Sequence, residues 1–179
     1  STKKSFSALE VQRQIGHKRY EPIWAMLHKL RAVMGQRDDK YTLANEVELD
    51  EGFFETVKSA SSAQDKSKKN KRGRGSEKQT KVLVMCESKH AEGRKPKPGR
   101  PSKKVGYLKM KVVQRLDAAI VNQSVEKHIS KQTLVRTDGY TSYKRLNETK
   151  IHHHPAKTPA QEASKLLPWV HIAISNAKR

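Results

Sequence analysis

The chain has 179 residues, 34% of them apolar, and carries a net charge of +20 with a pI near 10.1, so it fits one ordinary domain plus a small appendage. That charge calls for a polyanionic partner, nucleic acid rather than membrane, because no apolar run approaches the ~20 residues of a membrane span and no signal peptide is visible. A lone Cys86 excludes an intrachain disulfide framework and an all-cysteine zinc site, and it suits a reducing, cytoplasmic compartment.

Ser7 and Glu10 have the spacing of a capping box, which predicts a helix from Ala8 to Ile15 that Gly16 ends. A second helix starts between Arg19 and Pro22, where proline is tolerated in a first turn, and runs to about Met34. Ile23, Leu27, Leu30 and Met34 form its buried stripe, and Trp24 is assigned to the core. Two helices about one glycine turn resemble a helix-turn-helix over residues 1–40. On that reading Lys18, Arg19 and Lys29, with His17, His28 and Arg31, meet DNA phosphates. The alternative is a helical hairpin that only packs on the next domain.

In the stretch Asn45 to Phe54, Val47 and Leu49 alternate with Glu46, Glu48 and Asp50, the period of a strand that continues to about Val57. Carboxylates on one strand face are costly unless something cationic meets them. In so basic a chain this cluster marks Asp50 as a candidate metal ligand, with an exposed strand acid as the plain alternative. Residues 58–79 are a low-complexity basic run that cannot bury a core and read as a mobile loop. Its Arg72 and Arg74 either track phosphates beside the acidic strand or are simply solvated.

Thr80 to Glu87 is apolar on both faces and reads as a central strand, with Cys86 a small buried residue. Gly93 to Pro101 looks like an AT-hook that would offer Arg94 and Arg100 to a minor groove. Val105 to Val113 is a third strand, and Asp117 caps a helix from Ala118 to Ile129. Gln132 to Asp138 is a fourth strand, ending where a side chain can project into a crevice; the plain alternative is a turn aspartate before Gly139. A short helix, Thr141 to Leu146, follows. Ile151 to Pro155 is an edge strand on which His152 and His154 point opposite to His153, so the three histidines do not make one simple zinc cluster. Pro168 starts a last helix, Trp169 to Arg179.

The α/β order is strand, strand, strand, helix, strand, helix, strand, helix. It carries Glu48-Leu49-Asp50-Glu51 in the first strand, Arg136-Thr137-Asp138-Gly139-Tyr140 ending the fourth, and Trp169 to Arg179 in the last helix. With the Lys71 to Gly75 loop and Gly99 to Tyr107, the chain from Ser5 to Arg179 resembles the ribonuclease-H-like catalytic domain of DDE-superfamily insertion-sequence transposases, and more narrowly the ISXO-like group. The resemblance implies a mixed five-stranded sheet with flanking helices over residues 41–179, preceded by the helix-turn-helix segment. It implies DNA cleavage and strand transfer with two Mg²⁺ or Mn²⁺ ions. Asp50 would bridge the ions, Asp138 would bind one, and Asn176 would offer an amide oxygen to the other; Glu48 is the substitute carboxylate and Glu51 a less favoured one. His171, Lys178 and Arg179 would orient phosphates. The partners implied are element ends and target DNA, with a homodimer or larger assembly on paired ends, in the bacterial cytoplasm with the nucleoid.

Two departures stand out. One cysteine cannot build the group's zinc ribbon. Asn176, five residues after His171, stands where the group usually has glutamate. The last helix also runs out with the chain, so the sequence reads as a fragment. The rival readings are a non-catalytic basic DNA-binding protein, another ribonuclease-H-like nuclease or resolvase, and a decayed transposase segment.

Overall fold

The computed structural model describes residues 6–56, 79–90, 103–149, 151–155 and 166–178. Two helices come first, α1 (Ala8–Ile15) and α2 (Glu21–Asp38). There follow β1 (Glu46–Glu55), β2 (Gln79–His90), β3 (Lys103–Val113), α3 (Ala118–His128), β4 (Leu134–Thr137), β5 (His152–Pro155) and α4 (Pro168–Ala177). Two 3₁₀ turns, Thr141–Tyr143 and Leu146–Thr149, lie between β4 and β5 in place of the single short helix expected there.

The strand order is β3-β2-β1-β4-β5. β1, β2 and β3 form an antiparallel meander; β4 pairs parallel to β1, and β5 parallel to β4. A mixed five-stranded sheet in this order with flanking helices is a ribonuclease-H-like α/β fold. Strand alternation divides the core in two. Val47, Leu49, Leu83, Met85 and Val135 face α3 and meet Val121, Val125 and Ile129 there. Val82, Val84 and Cys86 face α4 and meet Leu167, Val170 and Ile174. Burial pushes the Cys86 thiol up to about 12, so it stays protonated and unreactive at neutral pH.

Local chemistry sets several boundaries as the sequence predicts. Ser7 Oγ accepts from Glu10 N at 3.1 Å, and Asp117 Oδ1 accepts from Ile120 N at 3.0 Å. Gly16 closes α1 with φ +66°, the left-handed conformation glycine adopts most readily. Elsewhere the structure differs. α2 runs through Gly35 to Asp38, because a glycine that keeps helical dihedrals weakens a helix without ending it. Gln132 sits at φ +63° in a turn, so β4 begins later than expected and ends just before Asp138.

Only Ile23 of the expected α2 stripe is buried, while Leu30 and Met34 are exposed. α1 has 8 residues and is about 12 Å long, so it covers only the start of α2. Trp24, expected in the core, is 50% exposed and packs on His28, one helical step off the covered line. The helical pair is tied to the sheet through the last turn of α2. Lys109, buried in β3, donates to the Asp38 carbonyl at 2.5 Å and lies 4.7 Å from the Tyr41 ring centre. Lys111 pairs with Asp39, and the Tyr41 hydroxyl donates to Asp38 Oδ1 at 2.9 Å.

Candidate active site

β1 points Glu46, Glu48 and Asp50 to the α4 side of the sheet, and each carboxyl meets a different partner. Glu46 accepts from Arg136 Nε at 2.6 Å and Lys103 Nζ at 2.5 Å. Burial works against its charge, but these two cations prevail and hold the carboxyl below its usual range. Glu48, expected as a substitute metal ligand, is 2% exposed, and its Oε2 accepts from Trp169 N at 2.7 Å and Val170 N at 3.0 Å. It therefore caps α4, whose own preceding residue, Leu167, makes no side-chain cap. Burial pushes the Glu48 carboxyl up, and the two N–H bonds oppose that only in part. An oxygen committed to two backbone donors is a poor spare ligand.

Asp50 is 8% exposed; Oδ1 accepts from Glu51 N at 2.8 Å, and Oδ2 lies 3.8 Å from His171 Nε2 on α4. Burial lowers the His171 pKa and the Asp138 carboxylate opposes it, so the ring is neutral at pH 7 and the approach to Asp50 is not an ion pair. His171 Nε2 is buried with no hydrogen-bond partner, a polar atom turned toward the acids without a protein group to satisfy it.

Asp138 follows the last residue of β4. Glu48 pairs with Arg136 across the parallel ladder, the last pair before Asp50 and Asp138, and both acids lie near His171, which is 3.8 Å from Asp50 and whose pKa the Asp138 carboxylate raises against the effect of burial. The turn is fixed locally: Asp138 Oδ1 accepts from Tyr140 N at 3.0 Å, and Gly139, at φ +78°, donates its N–H to Thr137 Oγ1 at 3.2 Å.

Asn176 is not drawn in with them. It is exposed, and five residues at 3.6 per turn put it about 140° round α4 from His171. Lys178 lies on the His171 side, with Nζ 5.8 Å from the Phe54 ring centre. Lys18, Arg19 and Lys29 are exposed on the helical pair, well placed for a polyanion but separate from the crevice in sequence and element. Arg72, Arg74, Arg94, Arg100 and Arg179, and with them the basic loop and the AT-hook-like run, lie outside the described residues. In β5, His153 Nε2 is 2.9 Å from Thr137 Oγ1, while His152 and His154 are exposed.

Among the described residues no three His, Cys, Asp or Glu side chains gather closely enough to hold a metal ion. The two carboxylates near His171, Asp50 on β1 and Asp138 just past β4, are hard oxygen donors of the kind that suits Mg²⁺ or Mn²⁺, which leave several positions to water and substrate phosphate. The chemistry of the donor set thus fits a divalent ion, with an open coordination sphere rather than a closed cage.

Two roles escaped the sequence reading. The Glu48 cap had one visible signal: Leu167-Pro168 offers α4 no capping side chain, so the cap had to come from elsewhere. The Tyr143 hydroxyl donates to Glu51 Oε2 behind the crevice, and a tyrosine five residues after Asp138 gave no sign of that partner.

The strand order β3-β2-β1-β4-β5 with flanking helices is consistent with the ribonuclease-H-like fold that the sequence resemblance implies. The chain itself belongs to the ISXO2-like transposase domain family, whose description matches residues 42–179. No curated protein and no solved structure is significantly similar to it.

Proposed function

We propose that this domain carries out divalent-metal-dependent cleavage and strand transfer of insertion-sequence DNA at Asp50 and Asp138. The observation that supports the reading is the parallel β1–β4 register, whose last pair, Glu48 and Arg136, comes two residues before Asp50 and Asp138, with His171 of α4 near both acids. Both acids would hold the ions, two Mg²⁺ or Mn²⁺. Bound there, the ions would supply charge stabilisation at phosphorus and activation of the attacking oxygen. In the first displacement a water oxygen attacks phosphorus at the element end and the 3′-oxygen leaves, taking up a proton. In the second, that 3′-hydroxyl attacks a target phosphodiester and the target's own 3′-oxygen leaves.

His171, neutral and with Nε2 turned toward Asp50, is suited to accept a proton or hydrogen bond from water or DNA at the acids. Asn176 remains in the proposal as third ligand on the family resemblance, and reaching the acids requires the end of α4 to turn. The basic surface, including Lys18, Arg19, Lys29 and Lys178, would hold element ends and target DNA, with two or more copies on paired ends.

The test is cleavage of a labelled element end in Mn²⁺ or Mg²⁺. Asp50→Ala and Asp138→Ala should each lower the rate at least about a thousandfold with DNA affinity unchanged. Metal-independent binding with no cleavage by the unaltered protein would leave a DNA-binding role alone. Nicking without joining of the free 3′-hydroxyl would make it a nuclease.

A further inference from the structure

We propose that Tyr143 is a positioning residue: by donating its hydroxyl to the Glu51 carboxyl, it ties the turn that carries Asp138 to β1 beside Asp50 and so sets the spacing of the two acids. The inference rests on the reading of Asp50 and Asp138 as the reacting pair.

The need for such a tie follows from the ladder. β4 is 4 residues long and ends at Thr137, and its pairing with β1 stops at Glu48 and Arg136. Sheet hydrogen bonds therefore end before Asp138. Among the local bonds of its own turn are three, Tyr140 N to Asp138 Oδ1, Gly139 N to Thr137 Oγ1, and Tyr143 N to the Tyr140 carbonyl at 3.0 Å. None of the three reaches β1. On the β5 side, His153 meets Thr137 Oγ1, which anchors the base of the turn to the sheet edge. On the β1 side the Tyr143 hydroxyl gives the turn a side-chain bond to Glu51.

Glu51 is suited to the role because it touches both acids' supports. Its backbone N–H donates to Asp50 Oδ1 at 2.8 Å, while its side chain receives the Tyr143 hydroxyl. A shift of the Asp138 turn would thus be felt at the residue that orients Asp50. Tyr143 is 1% exposed and Glu51 8% exposed, so water is excluded from the bond. Phenylalanine would fill the same packing space; a buried hydroxyl is retained at a cost unless it has a partner. The proximity of Glu51, Asp50 and Asp138 also raises the Tyr143 pKa well above its usual value, after burial itself, so the phenol remains a donor.

The experiment compares the full chain, Tyr143→Phe, Glu51→Gln and Asp50→Ala by metal-free amide hydrogen exchange and by Mn²⁺ titration followed by electron paramagnetic resonance. Tyr143→Phe should speed exchange at Gly139, Tyr140 and Tyr143 about tenfold, leave α3 and β2 amides unchanged, and weaken Mn²⁺ binding about tenfold. Glu51→Gln keeps an acceptor oxygen and should preserve slow exchange in the turn. Unchanged exchange in Tyr143→Phe, or a rise spread evenly over the sheet, would overturn the inference and leave Tyr143 as core packing only. Mn²⁺ binding that depends on Asp50 but not on Tyr143 would also overturn it while the reading of the site stands. Mn²⁺ binding indifferent to Asp50→Ala would instead remove the site reading, and the exchange data would still decide whether the tie exists.

Discussion

The two sides of β1 are built by different rules. On the α3 side Val47 and Leu49 are fully buried in an apolar cluster, α3 is capped by its own Asp117, and the acid Glu51 is met by the Tyr143 hydroxyl. On the α4 side three acids stand in a row, and the helix lying over them borrows its cap from the strand. Burial alone therefore does not identify a reacting group: Glu48 is more deeply buried than Asp50, yet its oxygen serves two backbone N–H groups. What distinguishes Asp50 is its company, an unsatisfied neutral imidazole that also feels a second aspartate, Asp138.

The difference can be broken open by substitution. Glu48→Ala removes a helix cap and leaves two buried donors unmet, and should cost about 2–4 kcal/mol in urea denaturation. Asp50→Ala removes an acid that the proposed function assigns to metal binding, and on that proposal it should change stability by no more than about 1 kcal/mol while abolishing cleavage. Equal losses of stability would erase the distinction between a structural and a functional carboxylate.

A smaller effect is expected at Gly52, on the same face. A methyl there would meet the Phe54 ring at 2.8 Å while lying at ordinary contact, 3.5 Å, from Ile174 of α4, so Gly52→Ala should displace the Phe54 ring. The expected loss is about 1–2 kcal/mol, because Phe54 can swing aside in part. No change in thermal stability would mean that the Phe54 ring moves aside without loss of packing.

The finest test is the sign of a pH dependence. Glu46 titrates below its unfolded value, so its stabilisation is present above about pH 4.5 and is lost as pH falls through the lowered folded pKa. Glu48 titrates above its unfolded value, so its contribution is complete below about pH 4.5 and declines as pH rises through the raised folded pKa. Denaturation of Glu46→Gln and Glu48→Gln against the unaltered protein should give difference profiles of opposite slope over the acid range. Slopes of the same sign would show that the two acids have the same kind of environment.

Much of this architecture is legible in the residues. The alternation from Glu46 to Asp50 places the acids on one face, Ser7, Gly16 and Asp117 mark helix ends through local bonds, and Asp138-Gly139 marks the end of a strand. Parity, however, says only that Glu48 and Asp50 share a face. Which of them a helix end will land on depends on residues more than a hundred positions away, Trp169 and Val170, and no local pattern encodes that. The same limit explains Met34, whose apolar periodicity is real but whose covering helix is too short to reach it, and Trp24, which lies one helical step off the covered line. It also explains Asn176: the five-residue spacing from His171 is plain in the sequence, while its position about 140° round the helix emerges only when His171 is seen against Asp50.

The central claim is that Asp50 and Asp138 share one divalent-ion crevice. Anomalous diffraction from crystals grown with Mn²⁺ tests it most directly. The account predicts Mn²⁺ density within about 2.0–2.3 Å of carboxylate oxygens from both residues. Density at neither residue, or the two side chains lying on opposite faces of the sheet, would contradict it.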